Sequence, residues 1–267
     1  MKKTIIALGA FLLLAACGND KKQEKEILEV EKVEVAKANT KAYPASMASI
    51  FNAHGSIAKW NAMNNLCFTM DNNGSQEVHT IDLKNRNEKI EHKDWSIGSF
   101  ENKSWVLENE PEAYKGNAIF YKNLMFYFYA MPFVVGDDGV VYTEMPQTEL
   151  EGVMYNTTKI SFEDGIGYSS TDEYIIYSDP ATHQMTWLAY TVTGNSGKKS
   201  DRWSYIKYAE WQEINGLQLP KKLTWYAVEE NRPTTAKADR TFDKVTVTKT
   251  ELNNSVFQKP AAAVSVE

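Results

Sequence analysis

Cysteine is scarce in this 267-residue chain, which holds only Cys17 and Cys67. A disulfide framework is therefore excluded as the source of its stability. An excess of positive charge is missing too: 29 Lys and Arg stand against 35 Asp and Glu, a formal net charge of -6. Nucleic-acid binding that tracks phosphates needs a basic footprint, so no nucleic-acid partner is expected. Histidine is rare, with His54, His79, His92 and His183 the full set, and no two stand at metal-ligand spacing. Neither a metal nor another cofactor is expected. Beyond the leader, no apolar run approaches the roughly 20 residues of a spanning helix. The most conspicuous, "LMFYFYAMPFVV" at positions 124–135, is twelve residues long.

Motifs of catalysis are absent as well. "GNSGKKS" has Val192 where a phosphate loop needs its first glycine, and Lys199 separates the lysine from Ser200. "DNNGSQE" places Gly74 fourth from Asp71, whereas a calcium loop needs glycine sixth. "GIGYS" lacks the order of a nucleophile elbow. The pair His79 and Asp82 cannot form a base and its orienter within one strand, since residues three apart point to opposite faces. His79 shares its face with Ile81 and Leu83, as a core histidine would. No catalytic constellation emerges, and the chain is not expected to be an enzyme.

What is present begins with "MKKTIIALGAFLLLAACGND". Two lysines, an apolar run and a small-residue junction mark residues 1–16 as an export signal. "LAAC" has the form of a bacterial lipobox, making Cys17 the expected site of acylation and the membrane the expected partner. Several acyl chains on one residue exceed the two signals needed for stable anchoring. No aspartate follows Cys17 directly, so the outer membrane is expected, facing either the periplasm or the exterior. Without Lys2 and Lys3 the balance becomes 27 cations against 35 anions, or -8. Residues 17–43 read as a lipidated cysteine and a charged tether. If flexible, its 26 residues after Cys17 reach about 28 Å.

The globular part is expected over residues 44–250, with 251–267 as a C-terminal tail. Met47, Ile50 and Phe51 at i, i+3 and i+4 predict a short helix after Pro44, stopped by Gly55. Strand-like runs follow, among them "KWNAMNNLCFTM", "SQEVHTIDL", "KSWVL", "QMTWLAYTVT" and "DKVTVTK". Asn215-Gly216 between "WQEI" and "LQLP" signals a two-residue hairpin. Such texture implies a mainly β (α+β) fold on an antiparallel sheet. In "NLCFTM", Leu66, Phe68 and Met70 share one face, and Cys67 lies on the other as a small hydrophobe. In "TWLAYTV" both faces are apolar, so this strand is expected to be covered on both sides. Pro132 ends the helix expected over about Tyr121 to Met131, with an extended exit into "GDDG".

Seven Trp, fourteen Tyr, eleven Phe and nine Met make a large adaptable apolar surface. Core packing accounts for such residues in any sheet protein, and an apolar ligand cavity would use the same types. The blocks "AHGSIAKWN", "VHTIDLKNR", "YKNLMFYFYAMPFVVGDDG" and "DEYIIYSDPATHQMTWLAYTVT...WQEINGLQLPKKLTWY" resemble an uncharacterised family of exported gram-negative lipoproteins, over about Ser46 to Tyr226. More distantly the chain is similar to the LolA/LolB lipoprotein carriers. That resemblance implies a curved antiparallel sheet forming an incomplete barrel, closed by an N-terminal helix and an inserted apolar helix. It also implies an apolar cavity for a lipid, acyl chain or similar ligand. Candidate lining residues are Phe126, Tyr129 and Met131 on the insert with Trp105, Trp187 and Trp203 on strands. The alternative is a structural lipoprotein with a packed core that docks an envelope protein partner. A hydrolase using His79 or His54 ranks last.

Overall fold

Pro44 starts helix α1, Ala45–Ala53, whose Met47, Ile50 and Phe51 are buried as the spacing predicts. The helix stops at Gly55, where φ is +104° and a Cβ would lie 2.1 Å from the Gly216 carbonyl oxygen. Only glycine permits that approach. The Ser56 hydroxyl caps a second helix, α2, Ile57–Asn61, by accepting from the Lys59 N–H. This corrects the strand expected from Lys59 onward: the cap starts a helical turn first.

These coordinates are a computed structural model that describes residues 41–163, 165, 171–193 and 199–266. The export signal, Cys17 and the tether up to residue 40 lie outside the described residues, and residues 42–267 form one compact unit. Five strands follow the helices: β1 Asn65–Asn72, β2 Ser75–Asp82, β3 Glu88–Glu91, β4 Trp95–Phe100 and β5 Lys103–Glu108. Two short helices, α3 Ala118–Tyr121 and α4 Leu124–Tyr129, make the insert. Then come β6 Val140–Leu150, β7 Val153–Phe162, β8 Tyr174–Ser178, β9 Met185–Tyr190, β10 Ser204–Ile214, β11 Leu217–Glu229 and β12 Arg232–Thr248. Last is β13, Val264–Val266.

Among the described residues these thirteen strands form one antiparallel sheet in the order β13-β5-β4-β3-β2-β1-β12-β11-β10-β9-β8-β7-β6. Two meanders, β1 to β5 and β6 to β12, join at the pairing of β1 with β12, which sets Asn65 opposite Thr248. The ends, β13 and β6, leave the sheet open, as the expected incomplete barrel requires. The Asn215-Gly216 hairpin forms as read, with φ of +52° and +77°. The segment expected as a C-terminal tail carries the edge strand β13, which pairs with β5, and buries Phe257.

Leu66, Phe68 and Met70 on β1 face the main core with Ile81, Leu188, Leu223 and Phe242, while Cys67 is half-buried on the other face. Strand β9 is covered on both sides as its pattern predicts. Leu188 joins the main core, and Trp187 and Ala189 join a second cluster with Tyr177 and Tyr205. Pro146 obscures β6 in the sequence, because proline removes a ladder donor. The strand accommodates it at the sheet edge, with a register shift between Met145 and Thr148.

The insert departs from the single helix expected over Tyr121 to Met131. Asn123 adopts a left-handed conformation, φ +64°, which breaks it into α3 and α4. After Ala130 the chain tightens into a 3-10 turn, Phe133–Gly136, in which all four residues are buried. The extended exit is therefore also corrected: Pro132 precedes this turn, and Phe133 N–H donates to the Ala130 carbonyl at 2.8 Å.

Candidate functional site

The insert lies against the helix-bearing face of the sheet and packs into the main core. The Tyr129 ring sits 4.4 Å from both Phe68 and Phe242, and Phe133 stacks on Trp60 at 4.8 Å. Tyr208 Oη donates to the Phe128 carbonyl at 2.7 Å, which ties the end of α4 to β10. Phe126, Tyr129 and Met131 are at most 1% exposed. They fill the core rather than line an open space.

The other three expected lining residues lie elsewhere. Trp187 is fully buried in the second cluster, 4.7 Å from Tyr226 and beneath the Lys207 ammonium at 5.0 Å. Trp203 packs at the margin of that cluster. Trp105 donates through Nε1 to the Phe257 carbonyl at 3.0 Å, and its indole lies against Gly98. The six therefore occupy three places and do not converge on one cavity.

A cleft of about 370 Å³ opens beside the insert. One wall is Leu124, Met125 and Phe128 from α4; the other is Tyr174, Tyr190 and Trp225 from β8, β9 and β11. Phe128 lies 4.8 Å from Tyr190 and 5.8 Å from Trp225, and Trp225 Nε1 donates to Tyr190 Oη at 3.1 Å. These rings are fixed by one another. Burial raises the Tyr174 and Tyr190 phenols above their ordinary range, so the wall stays neutral. At the lip, Phe120 and Val192 are 43% and 51% exposed. Asn72, Asp172 and Arg240 supply polar groups. The Asp172 carboxylate accepts from the Thr193 N–H at 2.7 Å and from its hydroxyl.

Behind the cleft, a buried polar cluster fastens the break in the insert. His79 Nδ1 lies 3.1 Å from Glu88 Oε1, and His79 and Glu88 are fully buried. Nε2 lies 3.3 Å from Glu77 Oε2, near enough to pair but out of line for a hydrogen bond. Tyr121 Oη donates to Glu77 Oε2 at 2.6 Å, and the Asn123 N–H donates to Glu88. Burial alone would lower His79, but the two carboxylates outweigh it and raise the imidazole above its ordinary value. Burial would raise Glu77, but His79 and Tyr121 hold it below the usual carboxylate range. The two flanking acidic side chains thus favour the protonated imidazole.

His54 is the opposite case. Its Nδ1 meets the Ile50 carbonyl at 2.7 Å, Nε2 accepts from the Met185 N–H at 3.4 Å, and burial lowers it to about 4. No acidic or nucleophilic side chain partners it in these contacts, and it is neutral structural packing. His79 and Asp82 do not pair. Among the described residues, no group of three or more His, Cys, Asp or Glu is placed to hold a metal ion. No helix among them is long and apolar enough to cross a membrane.

Sequence reasoning missed Tyr174, Tyr190, Trp225 and Arg240, which meet only through sheet register. Glu77 had a signal: it stands two residues before His79, on the same strand face. Glu88 becomes its partner only through the pairing of β2 with β3.

The model of DUF6503, a family of unknown function, matches residues 2–239. No curated protein matches the chain. Among solved structures, a LolA superfamily protein from Nitrosomonas europaea is similar at 10% identity and a TM-score of 0.46, over 79% of this chain and 96% of that one. A DUF1329 family protein from Desulfovibrio piger is similar at 9% identity and a TM-score of 0.46, over 81% and 98%. A domain assigned to outer membrane lipoprotein sorting, from Vibrio parahaemolyticus, is similar at 8% identity and a TM-score of 0.43, over 77% and 96%. The architecture itself stands on the strand register described above.

Proposed function

We propose, for a chain that belongs to DUF6503, a family of unknown function, that it is a lipid-anchored envelope protein taking the apolar chain of an amphiphile into the cleft beside its insert. The observation that carries this reading is the lip. Phe120 and Val192 stand exposed over a cleft whose walls are apolar rings already locked in place. Its volume of about 370 Å³ falls within the range of small-molecule sites, about 300–1,000 Å³. Each methylene withdrawn from water contributes about 0.8 kcal/mol, and preset rings lose little freedom on binding. The lipobox at Cys17 and the export signal support acylation and a place in the envelope, with the outer membrane as the destination. His79 and Glu88 are fully buried, which favours a structural role over hydrolysis.

Native mass spectrometry of the chain from Gly18 onward is expected to detect a co-purified apolar ligand. Leu124→Trp, which fills the cleft, is expected to abolish it. A ligand-free wild-type chain would overturn this reading. A ligand retained by Leu124→Trp would move the site elsewhere.

A second reading, docking of an envelope protein, draws on exposed Val141, Met145, Val153 and Met154 along the β6–β7 hairpin. Crosslinking from Met154 to a partner in a ligand-free chain would favour it.

A further inference from the structure

We infer that the cleft selects amphiphiles with an anionic head group, and that Arg240 reads the charge. This rests on the reading of the cleft as a site for an apolar chain. The pairing of Leu223 with Arg240 puts both on the core-facing side of the sheet, and Arg240 precedes Phe242 by two residues on the same face and lines the cleft. Its guanidinium lies over the Trp225 ring, 5.7 Å from the centroid, and Nη1 donates to the Asp239 carbonyl at 2.7 Å. Trp225 is itself held by Tyr190, so the cation is stationed above a fixed wall of the cleft.

The contrast with Arg86 is informative. Arg86 also lies over a ring of the insert, 5.0 Å from the Phe126 centroid, but pairs with the Asp137 carboxylate at 2.6 Å. Among the described residues Arg240 makes no ion pair. A guanidinium has five N–H donors in a fork that suits carboxylate or phosphate, and a single main-chain carbonyl leaves most of that capacity unused.

Three anions nearby weigh against an incoming anion, and all are engaged. Asp172 is held by Thr193, Glu77 by the His79 ring and the Tyr121 hydroxyl, and Asp239 by Lys222 at 2.8 Å and the Thr224 hydroxyl at 2.7 Å. Lys122, the remaining nearby cation on the insert, donates to Ser104 at 2.8 Å. Arg240 is therefore the cation left for a head group.

Calorimetric titration of the chain from Gly18 onward with dodecanoate, dodecyl phosphate and dodecanol, below micelle formation, tests the inference with one chain length and three heads. Both anions are expected to bind about tenfold tighter than dodecanol, the scale of a charge-assisted hydrogen bond at a half-exposed site. Added salt should narrow that gap. Arg240→Gln should erase it by weakening both anions, with an unchanged urea midpoint showing that the variant is folded. Arg240→Lys should keep part of it. Tighter binding of one anion than the other would identify the head group as carboxylate or phosphate within the same class. Equal affinity for all three, or a preference that survives in Arg240→Gln, would overturn the role of Arg240 and leave the apolar site standing. Failure of all three to bind would overturn the apolar site itself.

Discussion

His54 and His79 are both fully buried, yet their surroundings shift them in opposite directions from the ordinary value. Below pH 6.5 the unfolded chain protonates residue 54, while the folded chain refuses that proton until about pH 4. Stability therefore falls as pH drops through that window, by about 3 kcal/mol in all. In urea unfolding from pH 7 to pH 4, the difference between wild type and His54→Gln should shrink by about that amount. His79 runs the other way. Its raised value means that its contribution is fully present below pH 6.5 and is lost as pH rises through the folded value. His79→Gln removes the counter-charge from fully buried Glu88, a loss of about 3–5 kcal/mol. Extending the unfolding series above pH 7 should show that deficit narrowing as pH rises. A deficit independent of pH would mean that the imidazole is neutral.

The insert shows how one element carries two duties. Its Phe126 is 1% exposed within the core, and Phe126→Ala should cost about 3–5 kcal/mol in denaturant unfolding. Phe120, at the lip, should tolerate Phe120→Ser within about 0.5 kcal/mol while amphiphile binding weakens. The sequence made the insert legible as an element buried on all sides, a plug or a lid, because its apolar residues point every way. Its break stayed hidden, since an Asn in the left-handed region leaves no trace in hydrophobic periodicity. Strand β3 was hidden differently: "EKIE" offers one apolar residue and no alternation, and its Glu88 is buried only because His79 receives it. Strand β13, three residues long, is defined by its partner β5 rather than by its own pattern.

On the scale of the whole molecule, the proposed anchor at Cys17 and the proposed cleft site can be tested separately. Metabolic labelling with palmitate should mark the wild-type chain and leave Cys17→Ser unmarked; label on the variant would refute acylation at that residue. Sheet character and the doubly covered β9 were legible because alternation is local. The joining of the two meanders was not, since β1 and β12 attract each other only after everything between them has folded or stepped aside. That seam also sets a schedule. Loop closure over so long a stretch is slow relative to hairpin formation. During synthesis β1 has β2 beside it at once, but its other edge stays bare until Thr248, the partner of Asn65, has emerged. For most of the time the chain is being made, the apolar side chains of its first strand, Leu66, Phe68 and Met70, must be sheltered by something other than the finished protein.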